Sequence, residues 1–221
     1  MIRIVLAALL ALAPLTARAQ TDQQELVDRA TLAAQDMLGP GAPMDVHSML
    51  KTARGVMICP RVFKLGFFFG AEGGGCVMVG RLQTGWTYPA FYGMGAGSFG
   101  LQIGIQDSQI LFIVRTEKGL HALLDSQFKL GADAGIAIAT LGAGVSGATT
   151  AAFRADVVAF AESRGVFAGV ALDGSLIGAR SEWNQAYYGK PLASQQIVLE
   201  GQGSNPGAEP LREVLARFSG G

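Results

Sequence analysis

Two histidines, two cysteines, a set of glycine-rich turns and one basic stretch are the parts of this chain from which chemistry would have to be built. His47 and His121 have no metal-spaced partner and no G-x-S-x-G elbow nearby; Ser146 in "GVSGA" comes nearest, with alanine in place of the last glycine. The spacing G-x-G-x-x-G occurs at Gly95, Gly97 and Gly100 and again at Gly142, Gly144 and Gly147. A dinucleotide site needs that spacing between a strand and a helix. The first match leads into another strand, and the second has no neighbouring second βαβ unit. No cofactor, no metal and no catalytic residues are expected, and the chain is read as a non-enzyme.

The basic stretch "KTARGVMICPRVFK" is more informative. Between Val46 and Ala71 lie Lys51, Arg54, Arg61 and Lys64 and no acidic residue. Each such cation near a charged membrane surface contributes about 1 kcal/mol, so four together make a candidate lipid-headgroup site. Phe67, Phe68 and Phe69 follow directly, and "GWTYPAFYG" adds Trp86, Tyr88, Phe91 and Tyr92, a mixture suited to a membrane interface. Phe67, Phe68, Phe69 and Trp86 are the candidate apolar contacts to lipid. The alternatives are solvated charges at element ends and aromatics packed in a core. Cys59 and Cys76 lie in apolar, strand-like runs. A disulfide between them would stabilise the fold by about 3 kcal/mol, and two buried thiols fit the same runs.

These residues need elements to hold them. The first residues, "MIRIVLAALLALAPLTARAQ", have a basic start, an apolar run and a small-x-small site at Ala17–Ala19, the order of a secretory signal. Residues 1–19 are expected to be cleaved, leaving a periplasmic or secreted chain without a lipoprotein cysteine and with one domain over 20–221. Basic and acidic residues number 17 each. Loss of Arg3 and Arg18 leaves a slight acidic excess, which offers no general attraction for nucleic acid.

Leu26, Ala30, Ala33 and Met37 recur at helical spacing and predict a helix over 22–38, with a short second one over 45–53. Strands are expected at 56–59, 66–69, 76–82, 98–106, 109–116, 134–140, 151–160 and 166–177. Asp107–Ser108 would turn a hairpin, and Gly73–Gly75 would form the turn before Cys76. Helices are expected at 117–126, 182–188 and 210–218, the last a C-terminal extension after a connector from about residue 201. The uncharged run 134–153 reads as two strands and a loop in preference to a membrane span. Glycine reaches 31 residues, which disfavours a helical protein. The fold class is therefore α+β and strand-rich: a curled antiparallel sheet, barrel or half-barrel, with flanking helices.

Seven blocks in order carry a resemblance: "ARGVMICP", "KLGFFFGAEGGG", "WTYPAFY", "FGLQIG", "KLGADAG", "SRGVFAGVALDGS" and "YYG". They resemble the SYLF domain family, a lipid-binding module described in its yeast members as actin-binding. The resemblance implies a non-catalytic binding domain for phospholipid, phosphoinositide-type lipid or a membrane surface; the rival reading is a structural envelope protein that acts through contacts with other envelope proteins or through self-association. Eukaryotic relatives use a basic amphipathic N-terminal helix; here that helix carries Asp22, Glu25, Asp28 and Asp36 against Arg29. This weakens it as an electrostatic anchor.

Overall fold

The computed structural model describes residues 14–42, 44–66, 69–99, 104–125, 127–129, 136–140, 155–165 and 175–220. Helix α1 (Pro14–Met37) begins well ahead of the expected start, and the expected cleavage after Ala19 falls within it. Its stripe of Val27, Ala30, Ala33, Ala34 and Met37 is buried. Alanines on that stripe let the helix lie close to a sheet, and a Cβ on Gly75 beneath it would come within 3.0 Å of Leu26 Cδ2. Helix α2 (Met44–Lys51) buries Val46, Met49 and Leu50 beside it.

The sheet is built from β1 (Gly55–Gly66), β2 (Phe69–Leu82), β3 (Gly85–Trp86), β4 (Ala90–Phe99), β5 (Gly104–Val114), β6 (Gln127–Lys129), β7 (Ile136–Thr140), β8 (Val157–Gly165) and β9 (Leu176–Ala179). Its order is β6-β9-β4-β2-β1-β5-β8-β7, with β3 on β2. Every pairing is antiparallel except β7 with β8, which is parallel. The result is the expected curled half-barrel with flanking helices. Among the described residues the remaining helices are α3 (Glu117–Leu124), α4 (Ser181–Tyr188), α5 (Ser194–Val198) and α6 (Glu209–Ser219), the last preceded by a 3-10 turn at Pro206–Ala208.

Consecutive residues Val56, Met57, Ile58 and Cys59 are all fully buried, because β1 is covered on both faces. One face packs Val56, Ile58, Val77, Val79 and Phe91 against α1, α2 and α6. The other packs Met57, Cys59, Met78, Tyr92 and Phe112 against α3, α5 and Phe128 of β6. Buried Asn184 ties α4 to the sheet: its Oδ1 accepts from the Phe91 N–H at 2.9 Å, and its Nδ2 donates to the Leu192 carbonyl at 3.2 Å.

Two turns predicted from sequence are not turns. Strand β5 runs straight through Asp107 and Ser108, pairing them with Phe63 and Val62 on one side and with Arg164 and Ser163 on the other. Asp107 is accommodated because Arg61 Nε donates to its Oδ2 at 2.7 Å. Gly73–Gly75 likewise lie in mid-strand, between β1 and β4. Strand β1 continues to Gly66, which is paired with Gly70 of β2.

The register of β1 shifts between Ile58 and Arg61, a bulge at Pro60, which has no N–H for the ladder. Next to it, Cys59 and Cys76 form the disulfide, so of the two readings left open the bridge is the one realised. An extra residue reverses which side chains face which side. Val62 thus joins Met57 and Cys59 on one face, while Arg61 and Phe63 turn toward α1.

Candidate functional site at the bare end of the sheet

The helices cover only part of the sheet. Toward the tip of the β1–β2 hairpin, the α1-side face continues with none of the described helices above it. Leu65 and Leu176 are 47% and 50% exposed there. Strand alternation and register place Ala71, Gly73, Gly95 and Gly97 between them on the same face. A Cβ on Gly97 would meet nothing within 4 Å. This is a smooth, apolar, uncovered strip of sheet.

Where the strip meets α1 there is a groove of about 430 Å³, floored by Gly73–Gly75 and walled by Leu26, Phe63, Arg29 and Arg61. Arg29 also lines the two grooves that continue it, one past Leu32 and Asp107, the other past Arg180 and Trp183. Arg29 is bonded to Glu25 and Arg61 to Asp107, and all four side chains are substantially exposed. The Arg180 guanidinium stacks on Trp183, 3.6 Å from the ring centroid.

The four predicted headgroup cations are not brought together. Lys51 ends α2 and Arg54 precedes β1, with Arg54 Nε 3.2 Å from Glu117. Arg61 and Lys64 lie toward the other end of the strand, about 20–30 Å away at strand rise, and on opposite faces. Lys64 faces away from α1, opposite Glu72. Of the predicted apolar contacts, Phe67 and Phe68 lie outside the described residues, and Phe69 opens β2 opposite Phe99.

Trp86 is corrected: it is 4% exposed, not an interfacial anchor. Its indole N–H donates to Ser219 Oγ at 3.2 Å, and the Arg81 guanidinium sits 5.3 Å above the ring. The rest of that aromatic block is structural as well. Tyr88 donates to the Glu209 carboxylate, Arg212 lies over its ring at 4.4 Å, and Phe91 and Tyr92 are fully buried. Burial raises the Tyr92 hydroxyl to about 12. Its neighbours are hydrophobic core residues rather than lipid, because α4, α5 and α6 close over this half of the sheet.

Neither histidine is placed for catalysis. His47 Nε2 is 2.9 Å from the Leu38 carbonyl with its ring beside Phe218, and His121 is exposed on α3. Among the described residues no group of His, Cys, Asp and Glu could hold a metal ion, and no helix is long and apolar enough to cross a membrane. Of the glycine motifs, Gly95 and Gly97 lie in mid-strand β4, while Gly100, Gly142, Gly144, Gly147 and Ser146 lie outside the described residues. Reading the sequence missed Arg29, Leu65, Glu72 and Leu176. The signal for Glu72 was available: it is the lone acid in the glycine-rich run "GAEGGG".

The described residues form a curled sheet flanked by helices, with an apolar stretch of one face that no described helix covers. The family model for Ysc84, described as a Las17-binding protein actin regulator, matches residues 95–218. This chain belongs to that family, the SYLF domain proteins. It is similar to SH3 domain-containing YSC84-like protein 1 of Homo sapiens, 31% identical over 183 residues that cover 82% of this chain and 53% of that protein. Protein YSC84 of Saccharomyces cerevisiae is 28% identical over 206 residues, 91% of this chain and 44% of the relative. LAS seventeen-binding protein 3 of the same species is 32% identical over 177 residues, 78% and 38%. The chain spans about half, or less, of the length of these curated relatives.

Proposed function

We propose that this chain is an exported, non-catalytic domain that docks on phospholipid membranes through the uncovered face between Leu65 and Leu176. The observation that carries this reading is that strip: two half-exposed leucines flank glycine and alanine, and Arg29 and Arg61 stand along its inner border. The leucines and Phe63 would enter the acyl boundary while the arginines meet phosphates. Exposed ion pairs such as Arg61–Asp107 contribute at most about 1 kcal/mol, so a phosphate can replace the carboxylate. Lys51 and Arg54 are too distant to share this contact. The test is co-sedimentation with neutral and anionic vesicles at low and high salt, using wild type and the double variant Leu65→Ser/Leu176→Ser. Wild type should bind, more tightly to anionic vesicles at low salt, and the variant should lose most binding while melting normally. Absence of binding to either vesicle by folded wild type would overturn the reading.

A second reading, contact with protein partners, is supported by the family description of Las17 binding and actin regulation. The groove beside α1, with both charges and an apolar floor, suits a polypeptide. Salt separates the two, since an apolar protein interface keeps its affinity at high salt while a headgroup contact does not.

A further inference from the structure

The opposite face of the same bare end carries a polar feature that the docking strip does not use. Lys64 and Glu72 are cross-strand partners there, with Gln106 on the other side of Lys64. Their side chains are only 17% and 7% exposed, and Lys64 Nζ stands 3.9 Å from Glu72 Oε2. That separation gives attraction without a hydrogen bond. The second Glu72 oxygen, Oε1, is buried and accepts no hydrogen bond from any of the described residues. Burial pushes the Glu72 carboxyl up, and Lys64 offsets part of that rise. Deeper in, Gln106 Nε2 donates to Ser108 Oγ at 3.1 Å, so a polar layer separates the pair from the apolar core. In the other direction the next row of the ladder is Gly66, Gly70 and Gly104, which puts no side chain over the backbone.

A buried carboxylate oxygen without a donor calls for an explanation, and a donor group on a bound molecule supplies one. A simple cation there would be repelled by Lys64, and a simple anion by Glu72. A zwitterion lying antiparallel to the pair satisfies both. We propose that Lys64 and Glu72 bind a phosphate–ammonium zwitterion of the phosphoethanolamine type, with the phosphate on Lys64 Nζ and the primary ammonium donating to Glu72 Oε1. The choice of this zwitterion over others rests on the phospholipid reading above. Two sources share the chemistry, an aminophospholipid headgroup and free phosphoethanolamine. A choline headgroup has the same charges but no N–H to donate, which makes it the discriminating control.

The experiment compares binding of the full chain to vesicles of phosphatidylcholine alone, of phosphatidylcholine with equimolar phosphatidylethanolamine, and of phosphatidylcholine with equimolar phosphatidylglycerol. Free phosphoethanolamine is titrated in parallel while the Lys64 and Glu72 side-chain NMR signals are followed. A charge-assisted hydrogen bond predicts about tenfold tighter binding to the ethanolamine vesicles than to choline alone, reduced to the choline level by Glu72→Gln. Equal binding of wild type to the choline and ethanolamine vesicles, with no response to free phosphoethanolamine, overturns the proposal. An ethanolamine preference over choline that Glu72→Gln leaves unchanged overturns it as well; tighter binding to the glycerol vesicles is what the docking strip itself predicts and leaves the comparison of ethanolamine with choline to decide. If no vesicle binds, the docking reading fails by itself; movement of both signals with free phosphoethanolamine then supports the zwitterion site, and still signals sink it. Should Glu72→Gln not fold, the wild-type comparison of ethanolamine with choline decides.

Discussion

The two ends of the sheet use glycine for opposite purposes. In the helix-covered half, a Cβ on Gly80 would lie 2.2 Å from the Val198 carbonyl of α5, and one on Gly55 would lie 2.9 Å from the Val79 carbonyl. Glycine there admits another piece of backbone. In the bare half, Gly73 and Gly95 have only carbonyls at 3.5 and 3.7 Å, and Gly97 has open space. Glycine there leaves a flat face with nothing on it.

Substitutions can break this contrast. The largest effect is expected from Phe91→Ala, which empties a fully buried site beside Trp183 and Tyr187. It should cost about 3–5 kcal/mol in urea unfolding. Replacing both Cys59 and Cys76 with alanine should lower stability by about 3 kcal/mol, measured against the oxidised protein; reduced wild type should match the variant. Gly80→Ala should cost about 1–3 kcal/mol, since α5 has to shift to admit the methyl. Gly97→Ala should stay within about 0.5 kcal/mol of wild type. Equal losses at Gly80 and Gly97 would remove the distinction between the two halves.

The smallest effect is a pH dependence. The folded chain holds the Glu72 proton more firmly than the unfolded chain, because burial raises the carboxyl above its ordinary 4.5. Stability of wild type relative to Glu72→Gln should therefore improve as pH falls from above the folded value to below the unfolded one. Urea midpoints of both proteins at neutral pH and near pH 4 test this. A difference that does not move, or moves the other way, removes the raised carboxyl.

Much of the fold was legible because it follows from local patterns. The alanine stripe of α1 and the leucines of α3 at 120, 123 and 124 announce themselves in sequence; the cap of α3, where Thr116 Oγ1 accepts from the Gly119 N–H, reads in sequence instead as the end of a strand. The errors have a common cause. Asp107–Ser108 and Gly73–Gly75 have turn-like composition, yet their neighbours are distant in sequence: Arg61 partners Asp107, and Leu26 approaches Gly75. Composition carries no record of either contact. The basic stretch misled for a different reason. Four cations close in sequence are spread out when the chain between them is extended and a bulge reverses their faces.

From sequence alone came the class of the protein: strand-rich, helix-flanked and with the block pattern of the SYLF family. Those properties depend on periodicity, composition and motif order, which need no knowledge of what touches what. Tertiary structure decided the rest. Whether a glycine lies under a helix or on an open face, whether Trp86 is an anchor or a core residue, and whether Lys64 meets solvent or Glu72 are all questions of packing. Packing is set by pairs of residues far apart in the chain, and at Pro60 by a single inserted residue that exchanges the two faces of β1.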